Sequence, residues 1–291
     1  MKYAIKDLKK EFNTDAQCVK FVFENRYGLD FACPQCKATG KFYFIESRKR
    51  FDCVCGFTIS PLSGTIFHKS STPLTMWFHA IFLFASSRNG VSAKELERQL
   101  GVTYKTAWRL AKQIRILFAQ ANNPLSGVVE ADETYIGGIR KGKRGRGASN
   151  KTAVFGIVQR KVEVKAQVVE SINIKTIQPI IDSSVVKGAS IITDEFNVYN
   201  RVKKSGYEHY TIQHGIGEYV RGLVHSNSIE GFWSQLKRSI NGTHHSVSPK
   251  YLQLYLDEFV WRYSHRGQSL FPLMLATAVK PVSANYERTF S

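Results

Sequence analysis

Two apolar runs of strand length, each ending on an aspartate, constrain the fold of this chain more than any other feature. The first is Gly127-Val-Val-Glu-Ala-Asp132 and the second is Ala189-Ser-Ile-Ile-Thr-Asp194. A third acid, Glu230, lies in a helix-like stretch from Ser226 to Arg238. Hard divalent ions take carboxylate oxygens as ligands, and two such ions can clamp the attacking and leaving oxygens of a phosphodiester. The three acids therefore predict a two-metal site for phosphoryl transfer.

The spacing of apolar residues changes from a helical period to a strand period near residue 125. Beyond it the pattern predicts three strands, a helix, two strands and two further helices. In chain order these elements cover residues 128–134, 153–159, 162–171, 174–186, 189–193, 208–213, 227–240 and 249–265. Pro179 is expected to kink or delay the first of these helices. This order is that of an α/β fold, a ribonuclease H-like mixed sheet with flanking helices, whose carboxylates gather at one end of the sheet.

The charge of the chain limits what it can bind. Among 291 residues, 41 Lys and Arg stand against 23 Asp and Glu, which gives a net charge of +18. Such a surface attracts DNA or RNA through counterion release, or an anionic membrane surface. The longest apolar stretch, residues 74–85, is shorter than the roughly 20 residues that span a bilayer, and the N-terminus lacks a signal-peptide core. We expect a soluble cytoplasmic protein that associates with the nucleoid and has no membrane partner.

Four of the five cysteines have the spacing of zinc ligands. Cys33-Pro-Gln-Cys36 is followed after sixteen residues by Cys53-Val-Cys55. The pattern predicts one structural Zn²⁺ in a zinc ribbon, although the second pair is C-x-C where C-x2-C is usual. Buried or redox-idle thiols are the alternative. Cys18 lies in an amphipathic helix pattern and is assigned to the core.

The sequence of residues 72–115 predicts several helices, two of which form a helix-turn-helix. Thr72 is predicted to cap a helix that begins at Pro73 and runs to Ser87. Ser92 and Glu95 then form a capping box, Gly101 ends that helix and Thr103 caps the next one. The second helix presents four cations that we assign to DNA contact: Lys105, Arg109, Lys112 and Arg115. A plain helical hairpin with a solvated charged face is the alternative.

A glycine-rich cationic segment follows the first aspartate. Residues 137–147 carry several positive charges within a few residues of Asp132. Charges so close to a metal site favour contact with phosphate, while a solvated hairpin loop is the simpler alternative. The residues assigned to DNA contact here, together with one at the end of the later helix, are Lys141, Lys143, Arg144, Arg146 and Arg238.

Several longer phrases carry a resemblance to a known family. They span roughly residues 30–265 and include Cys33-Pro-Gln-Cys36, Ser63-Gly-Thr-Ile-Phe67, Gln99 to Trp108, Glu130 to Gly138, His225 to Arg238, and Tyr255 to Tyr263. At these residues the chain resembles the DDE transposases of bacterial insertion sequences that join an N-terminal zinc ribbon to a ribonuclease H-like, ISXO2-like catalytic domain.

The resemblance implies catalytic roles for the three acids Asp132, Asp194 and Glu230, with Asn227 and Lys237 as accompanying polar residues. The acids would bind Mg²⁺ or Mn²⁺, two ions per active site. The implied reaction is binding of the terminal inverted repeats, Mg²⁺-dependent cleavage at the transposon ends and joining of the 3′-hydroxyl to target DNA. Both ends must be held together, so we expect a homo-oligomer, at least a dimer on double-stranded DNA.

Each acid has a competitor nearby. Strand alternation places Glu133 on the face opposite Asp132, whereas Glu130 shares that face and is the stronger competitor. Glu195 competes with Asp194, which ends the apolar run. Glu230 is also read as the third residue of a capping box begun by Asn227, and Lys237 as a solvated lysine.

The predicted domains are a helical lead-in and zinc ribbon (1–62), a helix-turn-helix region (63–122), a catalytic domain (123–270) and a C-terminal tail (271–291). Two other functions stay open on sequence grounds. A metal-dependent nuclease would keep the acids without strand transfer, and a DNA-binding regulator would keep the ribbon and helices without needing the acids.

Overall fold

The computed structural model describes residues 3–120, 123–137, 151–212 and 225–282 of the chain. These residues divide into two compact units. The first contains residues 1–117 together with 267–291, and the second contains residues 118–266.

The first unit contains six helices and a small sheet in the part that is described. Its helices are α1 (Ile5–Glu11), α2 (Asp15–Tyr27), α3 (Leu74–Ser86), α4 (Ala93–Leu100), α5 (Tyr104–Ile116) and α9 (Leu270–Ala278). Its strands β1 (Phe42–Ile45), β2 (Arg50–Cys53) and β3 (Thr58–Ile59) form an antiparallel sheet in that order. Strands β1 and β2 lie within the segment from Cys33 to Cys55 that contains the four clustered cysteines, and Cys53 is the last residue of β2.

Helix α9 corrects the prediction of a C-terminal tail from residue 271. It packs against α3, with the rings of Phe271 and Phe82 5.7 Å apart. Phe271, Met274 and Leu275 are buried. An apolar helix of this kind gains more from burial than from exposure, so residues 270–278 belong to the first unit and are not a tail.

The start of α3 differs from its prediction as well. The N-cap is Pro73, which has no capping side chain, and Thr72 does not cap the helix. The acceptor comes from α2 instead, because Asp15 Oδ1 accepts from the backbone N–H of Thr75 at 3.1 Å. Its other oxygen accepts from Lys49, in the connection between β1 and β2, at 2.5 Å. Although burial opposes ionisation, these contacts hold the pKa of Asp15 below its ordinary value. One carboxylate thus connects α2, α3 and the small sheet.

Helices α4 and α5 form the predicted pair. Ser92 and Thr103 are their N-caps, and the side-chain oxygens accept from the N–H groups of Glu95 and Thr106. Gly101 ends α4 with φ +64°, a conformation that glycine adopts without strain. The helices pack through buried apolar residues such as Leu96 and Leu110.

Arg115 is buried, which contradicts its predicted role in DNA contact. It is 2% exposed, its guanidinium donates to the carbonyl of Val91 at 3.0 Å, and it lies 5.1 Å from the ring centroid of Phe84. A buried arginine with these partners holds the helices together and is not available to a phosphate. The helical period of α5 explains the error, because Arg115 lies on the same inner face of the helix as Ala111 and Ile114.

The second unit is built on a five-stranded mixed sheet in the order β6-β5-β4-β7-β8. The strands are β4 (Val128–Ile136), β5 (Thr152–Gln159), β6 (Val164–Val169), β7 (Ser190–Asp194) and β8 (Glu208–Ile212). The helices are α6 (Ile174–Ser184), α7 (Asn227–Ser239) and α8 (Pro249–Ser264). The first three strands are antiparallel, whereas β4 pairs with β7, and β7 with β8, in parallel. This is the ribonuclease H-like fold that the element order predicts, and α6 continues through Pro179.

Two apolar layers cover the sheet. Helix α6 packs on one face with Val129, Ala131 and the inner residues of β7. Helices α7 and α8 pack on the other face with Ile136, Val154 and Val158. Alternate residues of β4 therefore face different layers: Val129 and Ala131 lie against α6, whereas Glu130, Asp132 and Ile136 lie on the side of α7.

Two glutamines cover the outer edge of β6. Gln120 accepts from Ala166 N at 3.0 Å and donates to Ala166 O at 2.5 Å, and Gln253 accepts from Val168 N at 2.8 Å. Both amides also donate to the buried carboxylate of Asp257, at 2.7 Å each. These side chains replace a neighbouring strand, which satisfies an edge that would otherwise be available for pairing.

In the part of the chain that is described, no helix combines the length and hydropathy needed to cross a membrane.

The second unit should fold by itself as residues 118–266, and a fragment that begins at residue 123 should be less stable. The shorter fragment loses Phe118, which is 1% exposed and lies 5.0 Å from the ring of Trp261, and the edge contacts of Gln120. We expect its free energy of unfolding to fall by about 3 kcal/mol or more, measured by urea unfolding. Equal stability of the two fragments would show that residues 118–120 do not belong to this unit.

Candidate active site and metal centres

The two predicted catalytic aspartates lie on neighbouring parallel strands. The last registered pair between β4 and β7 is Glu130 with Ile192, and Asp132 and Asp194 each follow two residues later. Asp194 ends β7 as predicted, whereas Asp132 lies inside β4, which continues to Ile136. Parallel pairing thus brings both carboxylates to the same end of these two strands.

Asp132 is held by a tryptophan from α7. The indole Nε1 of Trp233 donates to Asp132 Oδ2 at 3.0 Å. Trp233 fits here because Gly156, which pairs with Asp132 in the sheet, has no side chain. A Cβ at Gly156 would lie 2.6 Å from the Trp233 ring. A glycine in β5 therefore leaves the space that the indole occupies beside Asp132.

Carboxylates crowd this end of the sheet. Burial, followed by the charges of Glu133 and Asp194, raises the pKa of Asp132 to about 7. Glu133 lies on the opposite face, as predicted, and accepts from Tyr199 Oη at 2.8 Å. Burial and the same three carboxylates raise the pKa of Tyr199 well above its ordinary value, so that it remains a neutral donor.

Glu230 lies in the first turn of α7. Its Oε1 accepts from Ser226 Oγ at 2.6 Å. Ser226 is the N-cap of the helix and Asn227 its first residue, so the capping box that begins at Asn227 is not formed. Asn227, Glu230 and Lys237 are all exposed and share one face of α7, since they are spaced three and seven residues apart.

The N-terminus of α7 is held by Glu130, whose contacts the sequence did not reveal. Glu130 is fully buried, and its Oε2 accepts from the backbone N–H groups of Ser228 at 2.8 Å and Ile229 at 2.9 Å. Its Oε1 accepts from Arg160 Nε at 2.6 Å. The available signal was an acid that follows two valines at the start of the strand, because a buried charge needs a partner. Glu130, the competitor of Asp132 in the sequence, therefore has a structural role: it binds the N-terminus of α7.

Asp132 and Asp194 are suited to binding a divalent cation. Their oxygens are ligands for such an ion, and its positive charge offsets the repulsion between the two carboxylates. Mg²⁺ and Mn²⁺ both accept such ligands. The carboxylate of Glu230 does not lie close enough to those of Asp132 and Asp194 for the three to form one group of neighbouring ligand atoms. Among the described residues, the only group of three or more Cys, His, Asp or Glu side chains whose ligand atoms all come together is the cysteine cluster.

The four predicted cysteines form a possible zinc site. Their sulfur atoms all lie within 4.8 Å of one another, with Cys33 and Cys55 3.6 Å apart and Cys36 and Cys53 also 3.6 Å apart. Although burial acts against it, backbone N–H groups of Cys36 and Gln35 lower the pKa of Cys33 to about 7. Although the backbone N–H of Cys55 acts against it, burial and the neighbouring thiols raise the pKa of Cys53 to about 12. Zinc binds the thiolate form, so a bound ion would displace the protons that the cluster holds. The C-x-C pair thus brings Cys53 and Cys55 close enough to Cys33 and Cys36 for all four sulfur atoms to contact one ion. Cys18 is fully buried in α2, and burial raises its pKa to about 12.

The remaining predicted DNA contacts differ in accessibility. Lys105 and Arg109 are exposed on α5, and Arg238 is exposed on α7. Lys112 is half-buried, with its ammonium 5.8 Å from the Trp108 ring centroid. The predicted loop residues lie outside the described part of the chain: Lys141, Lys143, Arg144 and Arg146.

The sheet and the cysteine site define a ribonuclease H-like protein with an N-terminal zinc ribbon. The family model of the ISXO2-like transposase domain matches residues 124–264, and that of the transposase zinc-ribbon domain matches residues 13–55. Together these matches cover more than half of the chain. The chain belongs to this family of insertion-sequence transposases, whose general function is transposition.

Two curated relatives agree with this family. An uncharacterized protein of the transposable element ISH50 from Halobacterium salinarum is 26% identical over 293 residues, which cover 93% of this chain and 99% of the relative. An uncharacterized transposase-like protein from Haemophilus influenzae is 28% identical over 105 residues, which cover 36% of this chain and 84% of the relative.

Solved structures with distant similarity include the pre-cleavage Mos1 transpososome, at 12% identity and a TM-score of 0.28, covering 70% of this chain and 79% of that chain. A simian T-cell lymphotropic virus intasome matches at 11% identity and a TM-score of 0.30, covering 66% and 73% of the respective chains.

Gly156→Ala should destabilise the second unit, because the new methyl group displaces the Trp233 indole and its hydrogen bond to Asp132. We expect a loss of about 1–3 kcal/mol, together with a changed tryptophan emission, measured by chemical unfolding. The matched control is Gly231→Ala in α7, where a Cβ meets nothing within 4 Å. It should raise stability by up to about 1 kcal/mol. Equal effects of the two substitutions would remove Gly156 from this role.

Metal analysis of the purified chain should find one zinc per chain. Cys33→Ser and Cys53→Ser should each release it and unfold the ribbon, because metal binding and folding are coupled in so small a module. Cys18→Ala is the control and should keep the zinc, since its sulfur is not part of the cluster. A chain without zinc whose ribbon nevertheless stays folded would contradict this assignment.

Proposed function

We propose that this chain cleaves DNA at the ends of its insertion sequence and joins the freed 3′-hydroxyl groups to target DNA. The observation that carries the proposal is the pair of aspartates on adjacent parallel strands, beside a helix that carries Glu230 and is bonded to the same strand as Asp132. In cleavage, water attacks the phosphorus and the 3′-oxygen leaves. In joining, that 3′-hydroxyl attacks a target phosphodiester and displaces another 3′-oxygen.

Asp132, Asp194 and Glu230 would hold the divalent ions, two per active site, with Glu230 contributing from α7. When bound, Mg²⁺ supplies activation of the attacking oxygen and neutralisation of the scissile phosphate. The protein itself positions the reactants and excludes competing geometries, which accounts for much of the rate in phosphoryl transfer.

The exposed face of α7 is suited to binding the DNA strand next to the acids. Lys237 lies two turns beyond Glu230 and Asn227 lies one turn before it. A lysine here would bind a phosphate near the cleaved bond, and the asparagine would orient the strand through its amide. Arg238 adds a second cation at the end of this helix.

The first unit would select the transposon end. Helix α5 exposes Lys105 and Arg109 in the manner of a recognition helix, and the zinc ribbon would add a second contact. The formal charge of +18 supports binding to double-stranded DNA at both the ends and the target. Because the two ends react together, we propose at least a dimer on DNA.

Asp132→Asn, Asp194→Asn and Glu230→Gln should each reduce Mg²⁺-dependent cleavage and strand transfer by at least about a thousandfold, since each removes one anionic ligand without a large change in shape. Binding to end-containing DNA should stay within about threefold. Oligonucleotides that carry the element's own end provide the assay, and pre-cleaved ends report strand transfer separately.

Asp182→Asn is the control for these variants, because it removes an acid of α6 that pairs with Lys187 at the surface. It should keep both activities. Full cleavage by any one of the three variants would remove that residue from the set. Cleavage without strand transfer in the unmodified protein would favour a nuclease.

Lys105→Gln and Arg109→Gln should each weaken binding to the transposon end. If each side chain neutralises one phosphate, the slope of log affinity against log salt should fall by about 0.9 per substitution. Lys175→Gln on α6 changes the net charge equally and serves as the control. If the control lowers the slope as much as the two α5 variants, the effect is one of overall charge and α5 is not the contact.

A further inference from the structure

A buried carboxylate connects the strand of the first aspartate to the helix of the third acid. Glu130 is fully buried, and its Oε2 accepts from the N–H groups of Ser228 and Ile229, the second and third residues of α7. These belong to the N–H groups that a helix leaves without internal partners. The positive end of the helix also favours the negative charge.

Arg160 completes the connection from the other side. Its Nε donates to Glu130 Oε1 at 2.6 Å, and its terminal nitrogen donates to the carbonyl of His225 at 2.7 Å. His225 directly precedes the N-cap of α7. Arg160 directly follows β5, and β5 is the neighbour of β4 in the sheet. The ion pair therefore connects β5, β4 and the segment that leads into α7.

Glu130 is distinguished from the metal ligands by these contacts. Both of its oxygens accept hydrogen bonds from protein donors, and none of its surface is exposed. Its position in the chain is nevertheless close to the acids. It precedes Asp132 by two residues on the same face of β4, and the N–H group of Ile229 that it accepts belongs to the residue before Glu230.

We propose that Glu130 and Arg160 act as a positioning pair that sets the distance between Asp132 and Glu230, and thereby the affinity of the site for its divalent ions. This inference rests on the proposed function. Both oxygens of Glu130 are occupied by donors of the protein itself, so the role proposed for the pair is indirect. The pair acts through the backbone of α7, whose first turn carries Glu230, and through β4, which carries Asp132.

Glu130→Asp is the test, because it keeps the negative charge but shortens the side chain by one carbon–carbon bond, about 1.5 Å. Either α7 shifts towards β4 or the hydrogen bonds to its N-terminus are lost. Removing partners of this indirect kind lowers metal affinity by about tenfold to a hundredfold. We expect the dissociation constant for Mn²⁺, measured on the zinc-loaded full chain by electron paramagnetic resonance, to rise about tenfold or more.

The chain offers a matched control in Glu258→Asp. Glu258 is fully buried in α8 of the same unit and pairs with Arg262 at 2.8 Å. This control should lower the melting temperature to a similar extent, since it disturbs an equally buried pair. Its Mn²⁺ affinity and its Mg²⁺ requirement for cleavage should stay within about twofold of the unmodified chain, because a stability loss alone does not change a local distance.

Two outcomes would overturn the proposal. One is a Glu130→Asp chain that binds Mn²⁺ as tightly as the unmodified chain. The other is an equal loss of affinity in the Glu258→Asp control. Should Glu130→Asp fail to fold, Arg160→Lys takes its place, since lysine keeps the charge but cannot donate to Glu130 and His225 through a planar fork. It should show the same rise in Mn²⁺ dissociation constant.

The Asp132→Asn chain separates this inference from the proposed function. If that chain still cleaves DNA and binds Mn²⁺ normally, the assignment of the metal site fails. If it is inactive and does not bind Mn²⁺ while Glu130→Asp behaves normally, the metal site stands and only the positioning role fails.

Discussion

The parallel pairing of β4 with β7 is the constraint on which the site depends. Parallel strands run in the same direction, so residues at equal distances beyond their last pair come to the same end. Asp132 and Asp194 are two residues beyond the pair of Glu130 with Ile192. A shift of one residue in this register would turn one aspartate to the opposite face of the sheet and separate the carboxylates. The apolar residues that alternate with them, Val129, Ala131 and Ile191, are buried in the layer against α6 and oppose such a shift.

Helix α7 is placed on that sheet by three contacts of different kinds. Gly156 leaves the space that the Trp233 ring occupies, Trp233 donates to Asp132, and Glu130 binds the N-terminus of the helix. Packing alone would allow the helix to slide along its axis, because apolar contacts have little directionality. The directed hydrogen bonds fix it along that axis and so fix the face that carries Glu230 and Lys237.

The first unit relies on one carboxylate in a comparable way. Asp15 accepts from the start of α3 and from Lys49 in the connection between β1 and β2, and thus connects the zinc-ribbon segment to the apolar helices. The four cysteines supply the second support for this segment. Small modules of this size commonly need a metal or another cross-link, because they bury too little apolar surface.

Sequence patterns predicted the local elements well, because period and capping are properties of neighbouring residues. The strands and helices of the second unit lie where alternation and helical spacing placed them, and Ser92 and Thr103 cap α4 and α5. The errors share a cause. The caps of α3 and α7 come from Asp15 and Glu130, which lie 60 and 98 residues away from the N–H groups they accept. The buried position of Arg115 and the docking of α9 likewise depend on contacts between distant segments.

By itself, the sequence determined the cysteine cluster, the order of strands and helices, and the two aspartates that follow apolar runs. The strands, helices and aspartates follow from spacings of two, three or four residues, and the cysteines from two closely spaced pairs. Only the tertiary structure decided which acid of Glu130-Ala-Asp132 remains near the other carboxylates and which holds a helix. Both acids lie on the same face of one strand, so alternation cannot separate them. The difference comes from what packs above each one: Trp233 and the crowded carboxylates above Asp132, and the N–H groups of α7 with Arg160 around Glu130.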